Sequence, residues 1–123
     1  MPKIRIAWAS GDVIADLQDT PTTQQLLSAL PCDSTASTWG AEVYFSLPVK
    51  AKLESGAKQV VESGTVCFWV DGSALALPFG PTPISKADEC RLVTRCNVLG
   101  RIEGDPRRLG DVRDGDAIRV EAI

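Results

Sequence analysis

The sequence predicts a mainly β protein: a small closed antiparallel barrel of seven or eight short strands, plugged by one helix. Three observations carry that expectation. Apolar and polar residues alternate with period two through residues 3–8, 13–18 and 42–49, the pattern of strands buried on one face. Turn chemistry separates the runs at short intervals, at Ser10-Gly11-Asp12, Asp71-Gly72 and Gly104-Asp105-Pro106. One stretch alone has the makings of a convincing helix. Closure into a cylinder is how so many short strands leave no exposed sheet edge.

Taken in order, Ile4, Ile6 and Trp8 share the inner face of a first strand, with Lys3 and Arg5 outside. Val13, Ala15 and Leu17 oppose Asp16 and Gln18 in a second, and the two form a hairpin. Thr20 can cap the helix that follows, because its hydroxyl accepts an orphan backbone N–H. Pro21 sits at the first helical position, where its missing donor is harmless. Leu26, Leu27 and Leu30 share a helix face, and Pro31 ends it. About ten residues cannot stand alone as a helix, so this one plugs a barrel end.

Residues 32–38 read as a weak strand or loop. Val43, Phe45, Leu47 and Val49 form a core face, and Glu42, Tyr44 and Ser46 the face opposite. Pro48 places that strand's end at an edge or bulge, and residues 50–59 read as loop. Around Gly64 and Gly115, two polar residues lead into a Gly and then a strand, a place that calls for positive φ. The stretch Trp69–Pro83 forms the centre of the barrel and one wall of its pocket: a strand, the Asp71-Gly72 turn, a second strand and a rigid Gly-Pro-Thr-Pro exit. Ile84–Arg91 reads as a surface excursion. Residues 92–103 resume β character, residues 106–111 suit one helical turn, and Ile118, Val120 and Ala122 mark the last strand.

Composition limits function. The 123 residues suit one domain, 1–123, large enough for a real core. Net charge is −3 and the 13 basic residues are scattered, which argues against nucleic acid as a partner. No apolar run reaches a membrane span and no signal-peptide pattern opens the chain, so a cytoplasmic protein is expected. The four cysteines form no Cys-x-x-Cys pair and histidine is absent. The expectation is therefore no metal and no cofactor, and neither Ser-His nor Cys-His nucleophiles.

Three patches resemble a known family when taken together: Trp39-Gly40-x-Glu42-x-Tyr44-Phe45, Gly72-Ser73-Ala74-Leu75 through Phe79-Gly80-Pro81-Thr82-Pro83, and Asn97-Val98-Leu99-Gly100-Arg101-Ile102. Their order and spacing look like a family of small prokaryotic proteins with a cyclophilin-like fold and no settled function. The resemblance covers nearly the whole chain and implies an eight-stranded antiparallel barrel with one or two short helices at its ends. Similarity to the prolyl isomerases themselves is confined to the segments around Gly72–Ala76 and Cys96–Ile102. There the isomerase glutamine is matched by Ala74, the second phenylalanine of the proline pocket by Ala76, and the histidine by Cys96. The Tyr44-Phe45-Ser46 strand offers no counterpart to the isomerase arginine. Lowering an amide rotation barrier of about 20 kcal/mol needs a donor aimed at the nitrogen and a socket for the ring.

The candidate pocket comprises Trp39, Glu42, Tyr44, Trp69, Ser73, Phe79, Arg95 and Asn97. Glu42 and Tyr44 face either solvent or a groove with an aromatic floor. Trp69 points away from one packed face and suits either a binding site or the barrel end. Arg95 and Asn97 share a strand face at i and i+2; with Arg95 in the pocket its planar fork can bind a carboxylate, and Cys96 then faces the core. The expected function is a non-catalytic module binding a small acid or peptide. The alternatives are a weak prolyl isomerase and an accessory subunit of a larger enzyme assembly. Alternating Leu75, Leu77 and Phe79 admit an exposed apolar stripe, which would favour a homodimer or a protein partner.

Overall fold

The computed structural model describes residues 2–123. Ten strands are formed: β1 Lys3–Trp8, β2 Gly11–Leu17, β3 Cys32–Thr35, β4 Ser37–Thr38, β5 Glu42–Ser46, β6 Lys58–Val61, β7 Thr65–Trp69, β8 Ala74–Pro78, β9 Cys90–Ile102 and β10 Ala117–Ala122. Helix α1 spans Pro21–Ala29 and a 3-10 helix spans Pro106–Asp111. All strand pairings are antiparallel, in the order β3-β10-β1-β2-β9-β7-β8-β5-β4, with β6 added to β9 off this path.

The path nearly closes on itself. It begins at β3 and ends at β4, and only Ala36 separates those two strands in the chain. Ala36 N–H donates to Asp116 O at 2.8 Å and Ala36 O accepts from Gly115 N–H at 2.8 Å, which holds the join against the β10 turn. Counted as one bent ribbon, β3 and β4 complete the eight-stranded barrel that the sequence led us to expect. The weak region 32–38 is therefore the seam.

Inside the barrel, Ile4, Ile6, Val13, Ala15, Leu17, Val43, Phe45, Leu47, Val49, Phe68, Leu75, Leu77 and Leu99 form one buried cluster. Each large side chain removed from water contributes about 1.5–3 kcal/mol. Helix α1 closes one end: the Thr20 hydroxyl accepts Thr23 N–H at 3.1 Å, and Leu26 is fully buried against the core. Gly64 and Gly115 have φ of +88° and +93°, as their turns require.

Several expectations are corrected. Leu75 and Leu77 are buried inside the barrel, so no exposed stripe runs along β8 and the argument for a dimer from that stripe falls. Strand β5 ends at Ser46, before Pro48, and the last two residues of the expected loop 50–59 belong to strand β6, Lys58–Val61. The Asp71-Gly72 turn forms as expected, with a positive φ of 47° at Ser73.

Strands β7 and β8 are buried on both faces. Val66, Phe68, Leu75 and Leu77 point inward, while Cys67 and Ala76 alternate to the outer side and join Leu92 and Cys96 in a second small apolar cluster. Tyr44, Val61 and Trp69 pack against that cluster. An outer sheet face that is itself apolar is where the site forms.

Candidate functional site

A cleft of about 190 Å³ opens on this outer face, lined by Trp39, Glu42, Tyr44, Trp69, Ala76, Leu92, Val93 and Cys96. Register explains the assembly. Glu42 and Tyr44 are two apart on β5, Tyr44 lies opposite Ala76 of β8, and Ala76 lies opposite Cys67 of β7. Small residues make the floor and aromatic ones the walls. The Tyr44 and Trp69 rings meet edge to face, with centroids 6.4 Å apart and planes at 84°.

Two glycines set those walls. A Cβ on Gly72 would lie 2.3 Å from the Trp69 ring, so the turn after β7 must lack a side chain for the indole to fold over it. Gly40, at φ +59°, packs its Cα against the Gly-Pro-Thr-Pro loop, where a Cβ would lie 2.9 Å from Pro81 O. Ala41 N–H donates to Pro81 O at 2.9 Å, and Trp39 N–H to Glu42 O at 3.0 Å. The rigid exit loop thereby braces the turn carrying Trp39 and Glu42. Its own Thr82 is buried and bonded to Ser85 Oγ and Arg91 O.

Glu42 is the chemically distinctive group. It is only 5% exposed, and burial pushes its carboxyl up to about 7. Its Oε1 finds no hydrogen-bond partner among the described residues, and neither does the buried Trp69 Nε1. An unpaired buried polar atom costs roughly 1–3 kcal/mol. The two side chains that carry them, one with an unpaired acceptor and one with an unpaired donor, both line the cleft.

Ionisable neighbours of Glu42 include the thiols of Cys67 and Cys96. Burial is the leading cause raising the thiols of Cys67 and Cys96, and Glu42's charge adds to it; Cys96 is pushed up to about 12. A thiol held in its protonated form is a poor nucleophile. Among the described residues, no lysine or arginine lines the cleft. Among the described residues, no group of three His, Cys, Asp or Glu side chains is placed to hold a metal ion, and no helix is long and apolar enough to cross a membrane.

Of the eight residues singled out from the sequence, the structure brings Trp39, Glu42, Tyr44 and Trp69 together. Ser73 sits in the β7–β8 turn, and Phe79 packs on the main core near Gly110. Arg95 is exposed and does not line the cleft. Asn97 is fully buried on the inner side: its Nδ2 donates to Thr22 Oγ1 and Lys52 O at 2.9 Å, and its Oδ1 accepts Glu54 N–H at 2.8 Å. Cys96, expected in the core if Arg95 entered the pocket, lines the cleft instead. A register shift between Lys58 and Val60 of β6, which face Cys96 and Arg91 of β9, lies beside Val93, Thr94 and Arg95, and those three residues are exposed.

Sequence reasoning passed over Ala76, Leu92, Val93 and Cys96 as lining residues. A signal existed for two of them. Ala76 and Cys96 are the positions matched to the proline-pocket phenylalanine and the histidine of the isomerases, and both border this cleft.

Barrel, end-plugging helix and outward cleft together define a cyclophilin-type β-barrel protein. The chain belongs to the family described as Cyclophilin-like, whose model matches residues 2–121. Among solved structures it is similar to the solution structure of a hypothetical protein from Archaeoglobus fulgidus, with 38% sequence identity and a TM-score of 0.84 over 98% of this chain and 93% of that one. No curated protein matches.

Proposed function

We propose that the protein is a non-catalytic binding module whose outward cleft takes a small ligand or a single side chain of a peptide. The observation that carries this reading is the pair of unpartnered buried atoms, Glu42 Oε1 and Trp69 Nε1, on side chains that line an aromatic-walled recess. At about 190 Å³ the recess falls below the roughly 300–1,000 Å³ of drug-sized pockets, which suits a compact group. A small acid loses its anchor with Arg95 outside the cleft. A cytoplasmic setting belongs to the same proposal, supported by four unpaired thiols at Cys32, Cys67, Cys90 and Cys96.

Two tryptophans line the cleft, so occupancy is readable directly. A panel of amines, acids and short peptides, screened by thermal shift and tryptophan emission, is expected to yield at least one compound that moves both for the native chain. Trp69→Phe should reduce the response. A panel that moves neither would overturn the reading. Prolyl isomerase activity is the rival: Ala76 and Cys96, the positions matched in sequence to the isomerase phenylalanine and histidine, line the cleft. A protease-coupled proline-peptide assay is expected to show no rate above background, and a clear rate would favour the rival.

A further inference from the structure

The cleft's chemistry narrows its ligand, granted the binding-module reading above. Two of its lining side chains carry a buried carboxyl oxygen without a donor and a buried indole N–H without an acceptor. Its walls are the rings of Trp39, Tyr44 and Trp69, whose faces attract cations and repel anions. The basic side chains nearby on β9 are engaged or turned out: Arg91 holds Glu89 at 2.7 Å, and Arg95 is exposed. An anion would meet a carboxyl group and π density with no cation to receive it. A purely apolar ligand would leave both polar atoms unpaired and buried deeper.

We propose that the cleft binds a small alkylammonium ion that keeps an N–H and carries a neighbouring oxygen. The N–H donates to Glu42 Oε1, the oxygen accepts from Trp69 Nε1, and the alkyl groups lie against the aromatic walls. Glu42 supplies the countercharge, so the ionised form is the competent one. The titratable groups facing Glu42 are Cys67 from β7 and Cys90 and Cys96 from β9, with Tyr44 beside it on β5; its partner on β8 is Pro78. The three thiols are all raised and stay neutral, which leaves Glu42 as the group that titrates near neutrality. Affinity should therefore rise about tenfold from about pH 6 to about pH 8, as the ionised fraction grows.

The test uses the full chain with 2-(dimethylamino)ethanol in its ammonium form and 3-methylbutan-1-ol, a neutral molecule of the same shape. Both are titrated by tryptophan emission and calorimetry, on the native protein and on Glu42→Gln. The ammonium is expected to bind at least about tenfold more tightly at pH 8, to weaken at pH 6, and to lose its advantage in Glu42→Gln. Equal or tighter binding of the alcohol would overturn the inference while leaving a binding module in place. Binding of neither would overturn the inference, while the binding-module reading falls only if the wider panel of amines, acids and peptides also moves nothing. Should Glu42→Gln not fold, the native pH profile decides alone: a flat profile for the ammonium refutes the role given to Glu42.

Discussion

Glu42 shows how a strand's period can place a carboxyl group where ordinary packing would not. It alternates away from Val43 and Phe45, which marks it as outward, yet outward on this barrel leads into an apolar recess. Burial holds its folded pKa at about 7, above the ordinary 4.5. Between those values the folded chain keeps a proton that the unfolded chain has released, so stability falls as pH rises through that window and stays reduced above it. The full loss is about 3 kcal/mol. Glu42→Gln keeps the shape without the charge. In urea unfolding it should be more stable than the native chain at about pH 8, by up to about 3 kcal/mol, and equal to it near pH 4. A native residue that weakens its own fold at neutral pH fits a site retained for function. Alternation announced the side on which Glu42 and Tyr44 stand; that this side is a cleft came only from the contacts of four strands.

At the level of elements, Asn97 ties three segments that the sequence does not connect. From β9 it holds helix α1 through Thr22 and the loop at Lys52 and Glu54, with Glu54 in turn accepting from Thr22 N–H at 3.1 Å. The loop 50–57 is thus bound to the barrel end through polar contacts on a fully buried amide. Asn97→Ala leaves the Glu54 N–H and Lys52 O without their partner and should lower stability by roughly 1–3 kcal/mol. The Glu54 amide should also lose protection in hydrogen exchange; unchanged exchange there would refute the tie. The helix itself was legible, because its Thr20 cap and Pro21 start are local signals that need no tertiary contact. Asn97's partners were not: they are 43 to 75 residues away, and an asparagine within a strand looks the same whether it binds a ligand or a loop.

For the whole molecule, the decisive junction is between β2 and β9, which joins the β3-β10-β1-β2 half of the barrel to the β7-β8-β5-β4 half. It rests on three register pairs, ending at Leu17 opposite Gly100. A Cβ on Gly100 would lie 1.9 Å from Asp16 O, so the strands meet at a separation only glycine permits. Gly100→Ala should cost about 3 kcal/mol or more, seen as a lower urea midpoint, and a tolerated alanine would mean the halves can part without loss. Period-two alternation, turn residues and caps suffice by themselves for the barrel class, its inward residues and its one full helix, because each is written in neighbouring positions of the chain. The seam at Ala36, the doubly buried β7 and β8, the exclusion of Arg95 and the meeting of Trp39, Glu42, Tyr44 and Trp69 with Ala76 and Cys96 were decided only by tertiary structure. Those outcomes depend on which strands become neighbours and where a register shifts, and these are long-range pairings to which local pattern is blind.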